Sequence, residues 1–284
     1  MRRTIGVLLL VFSCATHAQG FPSKPIRIIV PLAAGGNLDL VTRAVAERLQ
    51  GVIGQPVVVE NRAGASSIVG TRFVAKAQPD GYTLGIAPIG ALGISPNMVA
   101  KLPYSIEKDF QPLALIARGH LLVAVAPTSD IKSIKDLIAE AKKNPGKLTN
   151  ASSASGSPGH VGAELFKYMA GIDVVHVPYR GGAAATTDLI AGRVTFMFES
   201  LNSISPHAKS GAVRALATTA TARLDILPDL PTLLELGLTG ADLASWYGFA
   251  APKATPRPVV DRLNAARSEE HTSELQLPYV ISYA

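Results

Sequence analysis

The stretch Ile26-Arg27-Ile28-Ile29-Val30-Pro31-Leu32-Ala33-Ala34-Gly35-Gly36-Asn37-Leu38-Asp39 decides how the rest of the chain is read. Its first residues are apolar and β-branched, the composition of a strand. Residues 33–37 are small and mark a turn. Leu38, Val41, Val45 and Leu49 then recur at helical spacing, which predicts an amphipathic helix over 38–50 that Gly51 and Gly54 end. The same unit follows again: a strand at 56–60, a small-residue turn at 64–67, a helix over about 67–77 and a third strand at 82–87. That alternation predicts a parallel sheet with helices on both faces.

A second unit opens near residue 120. Leu121 to Ala126 reads as a buried strand, and Ser133 to Lys143 as a helix with Ser129 and Asp130 as cap candidates. A strand over 148–152 runs into the small residues 153–159. A helix over 161–170, a strand over 174–177, a helix over 183–191 and strands at 194–198 and 213–218 follow. From about 226 to 250 the pattern loosens. No proline- or serine-rich linker separates the units, which favours two lobes joined by crossing strands. The expected division is 19–122 with 226–266 for a discontinuous first lobe, and 123–225 for the second.

Composition narrows the classes. With 284 residues, 48% hydrophobic and only 17% charged, the chain can bury real cores and is not of the disordered kind. The net charge of +6 (27 basic against 21 acidic residues) is spread out, with no basic run longer than Arg2-Arg3 or Lys142-Lys143. Nucleic-acid binding needs such residues gathered on one face, so no nucleic-acid partner is expected. The single cysteine, Cys14, excludes a disulfide framework and a cysteine-based zinc site.

Residues 1–18 have the layout of an export signal: Arg2 and Arg3, the short apolar run Ile5 to Phe12, and Thr16-His17-Ala18 before a cut after Ala18. The run is far too short to span a membrane. A lipoprotein reading with Cys14 as the acylated residue competes with it, but bulky Phe12 stands where a small residue is wanted. The expected compartment is the periplasm of a Gram-negative cell. At the other end, Arg267-Ser268-Glu269-Glu270-His271-Thr272-Ser273-Glu274-Leu275-Gln276, read back into codons, resembles a sequencing adapter. Residues 267–284 are therefore expected to be a non-native tail, with the first lobe truncated after about Ala266.

Three turns, 33–37, 64–67 and 152–159, each follow a strand and open a helix. Ligands of open parallel sheets bind at such places. The free N–H groups and positive dipole end of a helix suit a carboxylate there. Rival chemistries lack their motifs: there is no G-x-S-x-G, no Walker A sequence and no G-x-G-x-x-G. His120, His160, His176 and His207 show no zinc-ligand spacing. His160 and His176 remain open as a general acid/base pair or as loop-bracing residues.

Residues 31–39 (PLAAGGNLD) resemble the first-loop motif of the Bug/TctC family, the extracytoplasmic solute receptors of tripartite tricarboxylate transporters. Glu60-Asn61-Arg62-Ala63-Gly64-Ala65 and His176-Val177-Pro178-Tyr179-Arg180-Gly181-Gly182 are similar to further family motifs. So are residues 188–194, Leu230-Pro231-Thr232 and Trp246-Tyr247-Gly248, in register from about 23 to 266. The resemblance implies a two-lobed α/β periplasmic binding protein of type II with mostly parallel sheets. It implies a monomer that needs no cofactor or metal, and a small carboxylate captured between lobes and delivered to membrane permease subunits. Two departures stand out. Ala151 and Ala154 replace glycines of the second-lobe loop, which threatens a backbone that needs positive φ. Thr195 and Glu199 replace aspartates.

The residues expected to hold the solute are Ala34, Gly35, Gly36 and Asn37 from the first turn, and Ser66 from the second. Ser152, Ser155 and Gly156 close from the other lobe, with Glu199 at the end of its strand. His160 braces the second-lobe loop, and Asp39 is tied to backbone donors rather than to solute. Arg62 and Arg180 lie near the turns, with a solvated surface role expected for both. Glu199 would attract an ammonium and repel a second acid group, or else serve as a hinge or cap residue. The alternative function is a periplasmic enzyme of similar architecture acting on a small carboxylate. A transcription regulator's effector lobe is a third reading, but an export signal stands where its DNA-binding helices belong.

Overall fold

The computed structural model describes residues 20–271, with side chains to residue 266; the leader and most of the tail lie outside them. In chain order the elements are β1 (Ile26–Val30), α1 (Asn37–Ile53), β2 (Val57–Asn61), α2 (Ile68–Ala75), β3 (Thr83–Pro88), α3 (Ser95–Met98), α4 (Ile106–Asp109), β4 (Phe110–Val125), α5 (Ile134–Lys143), β5 (Thr149–Ser152), α6 (Pro158–Ala170), β6 (Val175–Pro178), α7 (Gly182–Ile190), β7 (Phe196–Ser200), α8 (Leu201–Lys209), β8 (Arg214–Thr218), β9 (Ala244–Pro252) and α9 (Arg257–His271). A π-helical turn, Gly90–Ile94, joins β3 to α3.

Strand order runs β2-β1-β3-β9-β4-β7-β5-β6, with β8 on β4. The strand–helix units are parallel: β1 with β2 and β3, and β5 with β6 and β7. The sheets are nonetheless mixed, because β4 and β9 cross between lobes and pair antiparallel with each other and with their neighbours. The 16-residue β4 was legible in sequence only in its second half. Its first half contains Pro112 and two bulges, which disguise a strand. β9 falls where the sequence pattern had loosened.

Each lobe buries both faces of its sheet. In the first lobe Ile26, Ile28 and Val30 pack against Val41, Val45 and Leu49 of α1 and Leu263 of α9, while Ile29 faces Val74, Phe110 and Ala250. In the second lobe the strand period of two splits β4 between cores. Leu121, Val123 and Val125 join Phe166, Phe196 and Phe198 on one face, and Leu122 and Ala124 join Met197, Leu189 and Ile204 on the other. Leu233, Leu238 and Ala241 also belong to the second-lobe core. The stretch 226–243, expected in the first lobe, therefore packs on the second, and the chain returns only with β9.

The crossing is tightly bonded. Thr219 N–H and Thr218 Oγ1 both donate to Leu121 O, and Leu121 N–H donates to Thr219 Oγ1. Thr219 Oγ1 donates in turn to Leu243 O at 2.7 Å.

Candidate functional site

Five βα junctions meet between the lobes. The N-termini of α1 and α2 come from the first lobe, and those of α6, α7 and α8 from the second; residues at each line one cleft. Four of these helices, α1, α2, α7 and α8, have no side-chain cap. At α2 the first N–H groups are already engaged, Ile68 N–H by Ala65 O and Val69 N–H by Gly64 O, so the uncapped ends that can offer N–H groups to a ligand are those of α1, α7 and α8. No lysine, arginine or histidine is among the described residues lining the cleft. Positive charge on that wall is offered by helix ends and not by side-chain cations.

The loop before α2 holds an uncommon conformation. Ala65, Ser66 and Ser67 have φ of 44°, 51° and 78°, three consecutive non-glycine residues in the left-handed region. Each costs on the order of 1–3 kcal/mol, and such strain gathers at ligand clamps and active sites. Ser66 and Ser67 both line the cleft. In the second-lobe loop Ala151 and Ala154 avoid positive φ, and Gly156 alone takes it, at 75°. The alanines at family glycine positions thus do not strain the wall, contrary to the sequence expectation.

The lobes touch directly. Ala33 N–H donates to Arg180 O at 3.2 Å. A Cβ on Gly36 would lie 3.3 Å from Gly182 N, and one on Gly181 would lie 3.2 Å from Ala33 Cβ. Glycine is needed here for close approach of two backbones.

Of the residues expected to hold solute, Gly36, Asn37, Ser66, Ser155, Gly156 and Glu199 line the cleft. Ala34, Gly35 and Ser152 do not. Gly35 turns its N–H to Asp39 Oδ2 at 2.9 Å. Ser152 is fully buried, donating to Ala154 O and sharing a 2.6 Å hydrogen bond with His176 Nε2. Arg180 is exposed. Arg62 pairs with Glu60 and stacks on Phe73, its guanidinium 3.6 Å from the ring centre. Gly181, Gly182, Ser157, Ser200 and Tyr247 line the cleft without having been singled out. Gly181-Gly182 carries the same strand–turn–helix signature as the other turns. Tyr247 has no such turn signature, because it arrives on β9.

Asp39 is nearly buried and bonded by Gly35 N–H, Asn61 Nδ2 and Arg43 Nε. Burial works to raise its pKa, but these hydrogen bonds together hold it below the usual value. His160 Nδ1 accepts from Gly156 N–H at 3.0 Å, and its ring stacks on His176 with centroids 3.9 Å apart. Burial, then the neighbouring His160, pulls the His176 pKa down to about 4. Burial also lowers that of His160. Both rings are therefore neutral supports behind the loop at neutral pH.

Tyr247 hydroxyl accepts from Asn37 Nδ2 at 2.8 Å and shares a hydrogen bond with Ser200 Oγ at 3.1 Å, joining the lobes behind the cleft. Glu199 is 6% exposed. Its Oε1 accepts from Ser200 N–H at 2.8 Å and Ser203 Oγ at 3.0 Å. Burial raises its pKa. Among the described residues no group of three or more His, Cys, Asp or Glu is placed to hold a metal, and no helix is long and apolar enough to cross a membrane.

Known proteins share this architecture. A UPF0065 protein from the tcbD-tcbE intergenic region of a Pseudomonas species is 40% identical over 264 residues, 92% of this chain and 78% of that protein. The periplasmic binding protein BugD superposes with a TM-score of 0.82 at 34% identity, covering 87% of this chain and 82% of BugD. MatC from Rhodopseudomonas palustris, solved with malate bound, gives 0.84 at 32% identity, covering 88% and 85%. Residues 41–278 match the profile of the tripartite tricarboxylate transporter family receptor. The chain belongs to that family of periplasmic solute-binding receptors, which bind and do not transform their solutes.

Proposed function

We propose that this receptor captures a small carboxylate between its lobes and hands it to the membrane permease subunits of a tripartite tricarboxylate-type transporter. The observation that carries the reading is the convergence of five helix N-termini, four without side-chain caps, on a cleft with no cationic side chain among the described residues that line it. Backbone N–H groups and aligned dipoles recognise a carboxylate without a lysine or arginine. Residues 1–18 serve as the cleaved export leader, and the mature receptor acts as a monomer. The solute-holding residues in this reading are Gly36, Asn37, Ser66, Ser155, Gly156 and Glu199, supported by their place on the cleft wall. Asp39 and His160 hold the two loops from behind.

Isothermal titration of the purified receptor against a panel of mono-, di- and amino carboxylates tests the reading. Saturable one-to-one binding of at least one acid, with the matching amide failing to compete, is the expected result. Failure of every acid to bind would overturn it.

A further inference from the structure

Two hydrogen-bond acceptors on the cleft wall bear on the choice of solute: Asn37 Oδ1 and the Glu199 carboxylate. Asn37 is 5% exposed, and its Oδ1 is buried without a partner while Nδ2 is engaged by Tyr247. Glu199 Oε1 accepts from Ser200 N–H and Ser203 Oγ. Its Oε2 sits 2.8 Å from where a Cβ on Gly182 would lie, at the mouth of α7. A longer side chain at position 182 would displace it.

A solute made only of carboxylates brings acceptors, and would leave Asn37 Oδ1 unpaired where that is costly. It would also set a second negative charge beside Glu199, with no lysine, arginine or histidine on the described cleft wall to offset it. One hydroxyl offers a single donor and no charge. An ammonium offers three donors and a positive charge. We infer that the solute is an amino carboxylate, its carboxylate facing the uncapped helix ends and its ammonium held by Glu199 Oε2 and Asn37 Oδ1. This rests on the carboxylate reading above and narrows it. The raised pKa of Glu199 belongs to the empty site. An adjacent ammonium stabilises the ionised carboxylate and draws it back down.

The test compares matched triads on the full-length mature receptor: alanine, lactate and propionate; leucine, 2-hydroxy-4-methylvalerate and 4-methylvalerate; glutamate, 2-hydroxyglutarate and glutarate. In the triad that binds, the amino acid is expected to bind at least about tenfold tighter than its hydroxy and unsubstituted partners. In Glu199→Gln, checked for folding by its melting curve, that ratio is expected to collapse while the unsubstituted acid still binds. Asn37→Leu gives a second probe and should erode the same ratio. Titration in two buffers of different ionisation enthalpy should show no proton uptake with the amino acid. The inference is overturned if hydroxy or unsubstituted acids bind as tightly as the amino acid, or if glutarate binds with uptake of a proton. In both cases carboxylate capture itself stands. Absence of binding across all three triads would overturn both readings.

Discussion

Gly90 and Gly156 face each other across the cleft so closely that a methyl group on Gly90 would come within 2.8 Å of the Gly156 carbonyl oxygen. One belongs to the π-helical turn of the first lobe and the other to the loop that opens α6, so the contact exists only when the lobes are together. Gly90→Ala should act as a wedge. A clash of this kind costs about 1–3 kcal/mol, so solute affinity should fall roughly 5- to 150-fold. The melting temperature of the empty, open receptor should stay near that of the parent. Titration calorimetry with a bound acid, beside a melting curve, checks both halves.

Gly36 is the N-cap of α1, with φ of −84°. Proline fits that angle and removes the N–H, and its ring also presses on the Gly182 backbone, 3.3 Å from a Cβ at this position. If this N–H meets the solute carboxylate, Gly36→Pro should weaken binding by about 10- to 150-fold, the worth of a hydrogen bond to a charged group. An unchanged affinity in a folded variant would take the first turn out of the anion site.

Acid should loosen the second-lobe loop through His176. An unfolded histidine takes a proton near pH 6.5, whereas folded His176 resists until about pH 4. Its contribution to stability is therefore full above pH 6.5 and lost as the pH falls towards 4. The ring is part-buried, and solvent screening holds the effect to about 1–2 kcal/mol, roughly 3–6 °C of melting temperature. Melts at pH 7.5 and 4.5 should show a smaller acid-induced drop for His176→Gln than for the parent. Equal drops would place the acid sensitivity elsewhere.

Asp39 accepts from Gly35 N–H and Arg43 Nε on one oxygen and from Asn61 Nδ2 on the other, so Asp39→Asn would set an amide donor against one of these two sets of donors and remove the charge that Arg43 pairs with. A loss of about 1–3 kcal/mol is expected, read as a lower denaturant midpoint at unchanged slope. Solute affinity should fall with it, because Gly35 and Gly36 are placed by this carboxylate.

The exported protein should begin at Gln19, which intact-mass analysis of periplasmic material decides. A lipid on Cys14 would instead make it a membrane-tethered receptor.

Much of the site was legible because it is built from local units. Gly36, Ser66 and Gly156 each sit in a small-residue turn between a strand and a helix, and such a turn announces itself within about ten residues. Gly181-Gly182 carries the same signature at the end of the family-like stretch 176–182. Tyr247 is legible only through the family-like Trp246-Tyr247-Gly248, since its partners Asn37 and Ser200 come from α1 and the end of β7. The inward turn of Gly35 and Ser152 depended on Asp39 and His176 capturing groups that the turns alone would leave free.

The amino-acid sequence by itself determined the alternation of strands and helices, the small residues that let backbones approach a solute, and the absence of catalytic motifs. These rest on side-chain periodicity and on contacts between near neighbours in the chain. Only the tertiary structure decided that β4 and β9 cross between lobes, that residues 226–243 pack on the second lobe, and that five helix ends share one cleft. It also decided that Glu199 turns Oε2 towards Gly182. Those are pairings between residues far apart in sequence, and their energies exist only once the chain has closed both cores and brought its distant segments together.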